Sequence, residues 1–346
     1  MNPLYTTKVE SYVLLCESRA EARLLQSYLD DKWKDDDDYG IFANISQPIY
    51  VEDNKPIAMS QYEFFKNEEN QIKELPNIQT IDLDDYFSNL KTKELGRLVL
   101  YGEKISSTQT LLMNKFKFFQ KGLVAITDEQ FKGRGRTSNK WVSPRGCLMF
   151  SFKMQLINGN YLCFVQYIIS IAIIRAIKQM EGCQNLDIGI KWPNDIYINK
   201  RTKIGGIICQ SVYSSAFDIT LGCGININND APSTCIDTEA SILAKRPIIL
   251  SRAQVLAHIM NEFEPILELF SSDGFRPFKD EYLGIWLHSD QKVTVLGDNG
   301  KNTNVTIKGL TDEGYLLAIS EEGETLQLFP DGNSFNFLQG LISKKI

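Results

Sequence analysis

Apolar and polar positions fall into three regimes along the 346 residues of the chain. Up to about residue 85 the apolar clusters are short. Ser11–Cys16 and Gly40–Val51 have strand-like content, a helical stretch lies near Glu21–Leu29, and the like-charged run Asp35–Asp38 reads as a solvated loop. Ile72–Leu83 reads as a linker into Tyr86–Leu95. From about Arg97 the pattern sharpens. Leu98–Tyr101, Leu123–Thr127 and Leu148–Met154 are apolar runs of strand length, and Ser107-Thr108 forms a helix start before Leu111–Phe119. A long apolar helix is predicted over Phe164–Met180. Strands follow at Asp187–Ile190, Ile196–Ile198, Ile204–Tyr213 and Phe217–Cys223, then helices at Arg252–Phe270 and Phe275–Trp286. After His288 the period changes again. Val293–Leu296, Val305–Leu310, Tyr315–Ile319 and Thr325–Leu328 are separated by Gly/Asp/Asn turns, the spacing of a small SH3-like β-barrel.

Three segments follow from these regimes: an N-terminal α/β piece at 1–85, a central domain at 86–287 and a C-terminal β domain at 288–346. Apolar residues make up 43% and charged residues 23%, enough for a sizeable core. The net charge of −6 argues against bulk affinity for nucleic acid or anionic membrane. Seven cysteines, none in a CxxC pair, fit neither a disulfide framework nor a structural zinc site, which points to a reducing compartment. With two histidines, His258 and His288, histidine-rich metal sites and most hydrolase triads lack material. Leu162–Ile177 is the most apolar stretch, but Gln166, Ser170 and Arg175 interrupt it, and it is shorter than a span of ~20 residues. No N-terminal targeting pattern is evident, and the expected location is the cytoplasm.

Against an acidic background, residues 130–145 carry five cations (Lys132, Arg134, Arg136, Lys140, Arg145) and no carboxylate. Glycines let a backbone approach a ligand closely, and arginines offer forked donors to phosphate or carboxylate. Trp141 adds a flat face for a ring. Gly133–Gly146 therefore reads as a loop that closes over a nucleotide or acyl phosphate; by composition alone it reads equally as a solvated basic loop or a nucleic-acid patch. In Lys191-Trp192-Pro193-Asn194-Asp195, Pro193 fixes a turn that holds Lys191 at a strand end, although a surface turn with a packed tryptophan is the commoner outcome for such a pentapeptide. Gly222-Cys223-Gly224-Ile225-Asn226, after a strand at Phe217–Leu221, marks either a bulge or a close approach to a ligand. Ser107-Thr108-Gln109 opens a helix, where hydroxyls and free N–H groups hold a polar ring or simply cap.

In order, the motifs are SSTQ at 106–109, DEQFKGRGR at 128–136, KW at 140–141, SPRG at 143–146, KWPNDIY at 191–197, KIGGI at 203–207 and GCGIN at 222–226. This series, over roughly residues 80–340, resembles the biotin–protein ligases. The flanks DDYFSNLKTKELGRLVLYGE, WLHSDQ and FPDGNSFNFLQGLI look like the eukaryotic branch. The resemblance implies an α+β fold: the mixed sheet with flanking helices shared with class II aminoacyl-tRNA synthetases, capped by the C-terminal SH3-like barrel.

The resemblance also implies a reaction and its residues. Biotin and MgATP give biotinyl-5′-AMP and pyrophosphate, and biotin then passes to a lysine of biotin carboxyl carrier domains of the acetyl-CoA carboxylase and pyruvate carboxylase type. The implied biotin site comprises Ser107, Thr108, Gln109, Gln130, Arg134, Gly135, Arg136, Lys191, Gly222 and Gly224. The implied adenylate site comprises Arg134, Arg136, Trp141, Lys191 and Asn226, and Lys191, Arg134 and Arg136 carry the catalysis. Asp195 is a candidate base for the transfer step. The metal ligands are left unassigned. A monomer or weak homodimer is expected, with no DNA or membrane partner. Two rivals, a lipoate or octanoate transferase and a non-catalytic biotin or nucleotide sensor, leave the joint presence of GRGR and KWPND unexplained. The chain departs from many bacterial members in following GRGR with Thr137-Ser138-Asn139 rather than further basic residues.

Overall fold

The computed structural model describes residues 80–114, 121–136, 139–229, 231–296 and 302–329. It also describes four short strands at Val13–Cys16, Ile57–Met59, Asn333–Asn336 and Leu341–Lys344. The expected helix at Glu21–Leu29, the loop at Asp35–Asp38, the strand at Gly40–Val51, the first two-thirds of the linker at Ile72–Leu83 and the second half of Leu111–Phe119 lie outside the described residues.

A nine-stranded sheet forms the centre. Its strands in chain order are β1 (Val13–Cys16), β2 (Ile57–Met59), β3 (Leu98–Ile105), β4 (Leu123–Gln130), β5 (Cys147–Leu156), β6 (Ile188–Lys191), β7 (Asp195–Ile198), β8 (Thr202–Tyr213) and β9 (Phe217–Asn226). They lie side by side as β2-β1-β3-β4-β5-β9-β8-β7-β6. β3 and β4 are parallel, and the other pairs are antiparallel. The helices are α1 (Leu83–Asn89), α2 (Thr108–Asn114), α3 (Val165–Gln179), α4 (Ile236–Ala244), α5 (Arg252–Asp273) and α6 (Lys279–Ile285). This is the mixed sheet with flanking helices that the motifs implied.

The period of two explains the two faces. Val124, Ile126, Phe150, Phe152, Leu221 and Cys223 project into the main core with α3 and α5. Opposite them, Leu123 and Ala125 join a smaller cluster under α2 with Leu111 and Leu112. Towards β9 and β8 this second face changes character. Ser151, Gly206, Gly222 and Gly224 replace large apolar residues and leave a hollow in the sheet surface. At Gly222 an added Cβ would meet Gln109 Oε1 at 2.5 Å.

Several expected boundaries shift. The Gly222–Asn226 segment does not follow a strand but completes β9, because Cys147–Leu156 pairs along its whole length. Residues 83–89, read as linker and approach, form α1, with Asp82 accepting from Asp85 N. The long apolar helix is preceded by a 3-10 turn at Gly159–Phe164, and Pro277 in the 3-10 turn Arg276–Phe278 delays the last helix to α6. Helix α4 was not foreseen. Only Ile236 and Ala240 are buried in it while Ile242 and Leu243 face out, so its apolar period is broken. With its 3-10 turn, α3 forms a stretch long and apolar enough to cross a membrane, yet two-thirds of it is buried inside the protein, as a core helix would be.

The C-terminal strands are β10 (Lys292–Leu296), β11 (Asn302–Leu310), β12 (Leu316–Ser320), β13 (Thr325–Leu328), β14 (Asn333–Asn336) and β15 (Leu341–Lys344). They form an all-β sheet in the order β13-β12-β11-β10-β15-β14. The last two strands were not foreseen. Tyr167 OH donates to Gly314 O (2.7 Å), which ties this unit to the central domain.

Candidate active site

A cavity of about 200 Å³ opens on the glycine-lined face. One end is a hydrogen-bonded wall of neutral groups. Gln130 Oε1 accepts from Thr108 N (2.8 Å) and Thr108 Oγ1 (3.2 Å), while Gln130 Nε2 donates to Ser143 Oγ (2.9 Å). Thr108 Oγ1 also lies 2.8 Å from Ser151 Oγ. Gln130 thus spends both ends of its amide on the protein and frames the wall. Gln109 Nε2 donates to Thr220 O (3.0 Å) and Gln210 Oε1 (3.1 Å).

The other end is cationic. Lys191 ends β6 half-buried, and burial lowers its pKa; the charge of Asp195 opposes that shift and Lys203 adds to it. Lys203 Nζ is 2.7 Å from Asp195 Oδ1 and 5.5 Å from the centre of the Trp141 ring. The basic loop folds back on itself as a narrow hairpin, with Trp141 N donating to Gly133 O (3.0 Å) and Gly135 N to Asn139 O (2.8 Å). Gly133 is needed for this approach, since a Cβ there would collide with the Trp141 carbonyl and Ser143 Oγ. Arg136 Nη1 donates to Asn194 Oδ1 (3.2 Å), linking the loop to the Lys191 turn. Arg134 is exposed.

The turn carrying Lys191 is held from beneath. Trp192 N donates to His288 Nε2 (2.9 Å), and His288 Nδ1 faces Gln291 Oε1 at 2.9 Å. Trp192 Nε1 donates to Tyr167 OH (2.7 Å), and Asn194 Nδ2 to Ile207 O (2.6 Å). His288 is fully buried, and desolvation pushes its pKa down to about 4.

Of the expected site residues, Ser107, Thr108, Gln109, Gln130, Arg134, Gly135, Arg136, Trp141, Lys191, Gly222 and Gly224 line the cavity together. Asn226 does not. It is buried beyond the cavity wall, where its Nδ2 donates to Ser233 Oγ (3.0 Å). Arg145 turns away to pair with Glu103, and Lys132 also stays outside. Ser151, Asn194, Lys203, Gly206 and Ile208 line the cavity without having been singled out. The even-numbered register of KIGGI and the following Ile208 against GCGIN would have shown Gly206 and Ile208 facing Gly224 and Gly222. For Ser151 no local signal existed.

Residues 101–226 match the Biotin/lipoate A/B protein ligase family, and residues 288–337 match the Biotin protein ligase C terminal domain. The chain is 38% identical over 284 residues to Biotin--protein ligase 1, chloroplastic, of Arabidopsis thaliana, spanning 80% of this chain and 77% of that protein. The chain belongs to the biotin–protein ligase family. A human relative, Biotin--protein ligase of Homo sapiens, is 35% identical over 275 residues, which is 76% of this chain and 38% of that longer protein. The solved biotin protein ligase from Aquifex aeolicus, in complex with biotin and ATP, superposes with a TM-score of 0.55 at 23% identity. It covers 68% of this chain and 96% of its own, and it shows the same fold. As a member of this family the chain is an enzyme, a ligase.

Proposed function

We propose that the cavity performs both halves of protein biotinylation, with the neutral wall taking biotin and the cationic end taking ATP. An oxygen of the biotin carboxylate attacks the α-phosphorus of ATP. The bond to pyrophosphate breaks, leaving biotinyl-5′-AMP. The neutral amine of a carrier lysine then attacks the biotinyl carbonyl, the bond to AMP breaks, and the amine loses a proton. Both reactants of the first step are anions, so cations fixed beforehand lower its barrier most. Lys191, Arg134 and Arg136 fill that role, and Trp141, lying against Gly224 and Gly206, offers a face to adenine. No protein nucleophile is required.

One observation carries this reading. Cations from two distant motifs meet at one end of a cavity whose other end is neutral, glycine-floored and hydrogen-bonded. Among the described residues no group of three or more His, Cys, Asp or Glu could hold a metal. The carboxylate in the cavity wall, Asp195, is paired with Lys203. Mg²⁺ therefore fits as the companion of the ATP phosphates, held mainly by them and by water. The same ion pair makes Asp195 a holder of Lys203 rather than a free base. Transfer from preformed biotinyl-AMP is expected to be unchanged in Asp195→Asn, and a large loss would restore it as the base.

Carrier domains of biotin-dependent carboxylases are the proposed protein substrates, and the cytoplasm the proposed location; the six cysteines with described side chains are all free. The deciding experiment is ATP–pyrophosphate exchange with biotin or lipoate. Exchange supported by biotin alone is expected, and exchange with lipoate alone, or with neither, overturns the reading.

A further inference from the structure

Gln109 is 2% exposed, and its Oε1 has no hydrogen-bond partner within the described residues. A buried carbonyl left unpaired costs about 1–3 kcal/mol. Two observations fix where that oxygen points. The amide's two hydrogens are both engaged, one on the backbone carbonyl of Thr220 (3.0 Å) and one on Gln210 Oε1 (3.1 Å). The oxygen lies above Gly222, where an added Cβ would come within 2.5 Å of it. A glutamine amide that could turn freely would present either a donor or an acceptor to the cavity. Held at both hydrogens, it presents an acceptor only.

We infer that Gln210, which lies outside the cavity wall, is a positioning residue that selects ligands by holding the Gln109 carbonyl towards them as a fixed acceptor. The group read there is an N–H donor on the edge of a polar ring. This rests on the proposal that the neutral end of the cavity takes biotin, whose ring carries such N–H groups. Without Gln210 the amide keeps Thr220 O and a weak thioether contact, Met113 Sδ at 3.9 Å, which leaves it able to swing. Gln210 engages the second. Because Gln210 sits at an exposed position of β8, replacing it removes little packing, so a change in ligand affinity reports on orientation.

The test measures biotin-dependent ATP–pyrophosphate exchange by the full chain, varying biotin and ATP separately. Gln210→Leu removes the acceptor, and Gln210→Glu keeps one. In the Leu variant the KM for biotin is expected to rise about fivefold, the loss of one neutral hydrogen bond, with kcat and the KM for ATP unchanged. The Glu variant is expected to return the biotin KM to within about twofold of the parent. Three results overturn the proposal: a parental biotin KM in the Leu variant, a rise of the ATP KM alongside it, or a Glu variant no better than Leu. A parent chain that shows no biotin-dependent exchange would instead overturn the assignment of the cavity, and this proposal with it.

Discussion

The two segments that bring cations to the cavity are built in opposite ways. The turn from Lys191 to Asp195 is a rigid fixture. Trp192 and Asn194 are buried, the Trp192 amide is fixed by His288, its indole by Tyr167, and the Asn194 amide by Ile207 O. The loop from Gly133 to Gly146 is a narrow hairpin whose cations Arg134 and Lys140 are exposed. It meets the turn through Arg136 and Asn194. A cation fixed in place needs no reorganisation when charge develops, whereas one on a hairpin must be ordered by its ligand. The turn is thus suited to the reacting groups, and the loop to covering the adenylate once it has formed.

The largest expected effect follows from the turn. Lys191→Ala should slow biotinyl-adenylate formation by roughly 10²–10³-fold, the usual consequence of deleting a fixed charge-stabilising donor. The half-buried side chain can be removed without unfolding the domain, so circular dichroism should be unaltered. Pyrophosphate release near the parental rate would remove Lys191 from the reaction. Arg134→Ala should slow the same step by a smaller factor, about 10–100-fold, because its exposed guanidinium acts through more solvent. Its distinguishing sign should be leakage: free biotinyl-AMP appearing in solution, detected by chromatography. If Arg134→Ala retains the adenylate as well as the parent does, the covering role of the loop fails and the comparison loses its second half.

The contrast also explains what could be read without coordinates. Gly133, Arg134, Lys191 and Pro193 announce themselves because glycine, proline and clustered cations carry meaning at short range, and the strands announce themselves by their apolar runs. The contacts that fix the turn do not. His288 stands 96 residues beyond Trp192, and nothing local in WLHSDQ says that its imidazole accepts a main-chain N–H in the site. Ser151 reads as one polar position in the apolar strand β5, and only its register opposite Gly222 shows that it lines the cavity. Asn226 misleads in the reverse sense. Its motif and the alternation of β9 put it on the same face as Gly222 and Gly224, but it lies past the end of the cavity lining, with its amide bonded to Ser233. Short-range chemistry is legible, while long-range hydrogen bonds are decided by packing.

His288 gives the smallest expected change in rate and the sharpest test of rigidity. Its pKa lies near 4 in the folded chain, against an ordinary value of 6.5. The unfolded chain therefore takes up the proton first as the pH falls. The stabilisation is complete above about pH 6.5 and is lost as the pH drops towards 4, by up to about 3 kcal/mol. Protonation would also place an N–H where Trp192 N needs an acceptor. His288→Gln cannot titrate, so the difference in unfolding free energy between parent and variant should vary with pH in that window and level off above it. At pH 7.5 the variant should form adenylate about tenfold more slowly with its biotin KM unchanged, since the turn moves while the neutral wall does not. A pH-independent difference in stability would show that His288 does not hold the turn as a neutral acceptor. A shifted biotin KM with an unchanged rate would show that the turn and the wall are not mechanically separate.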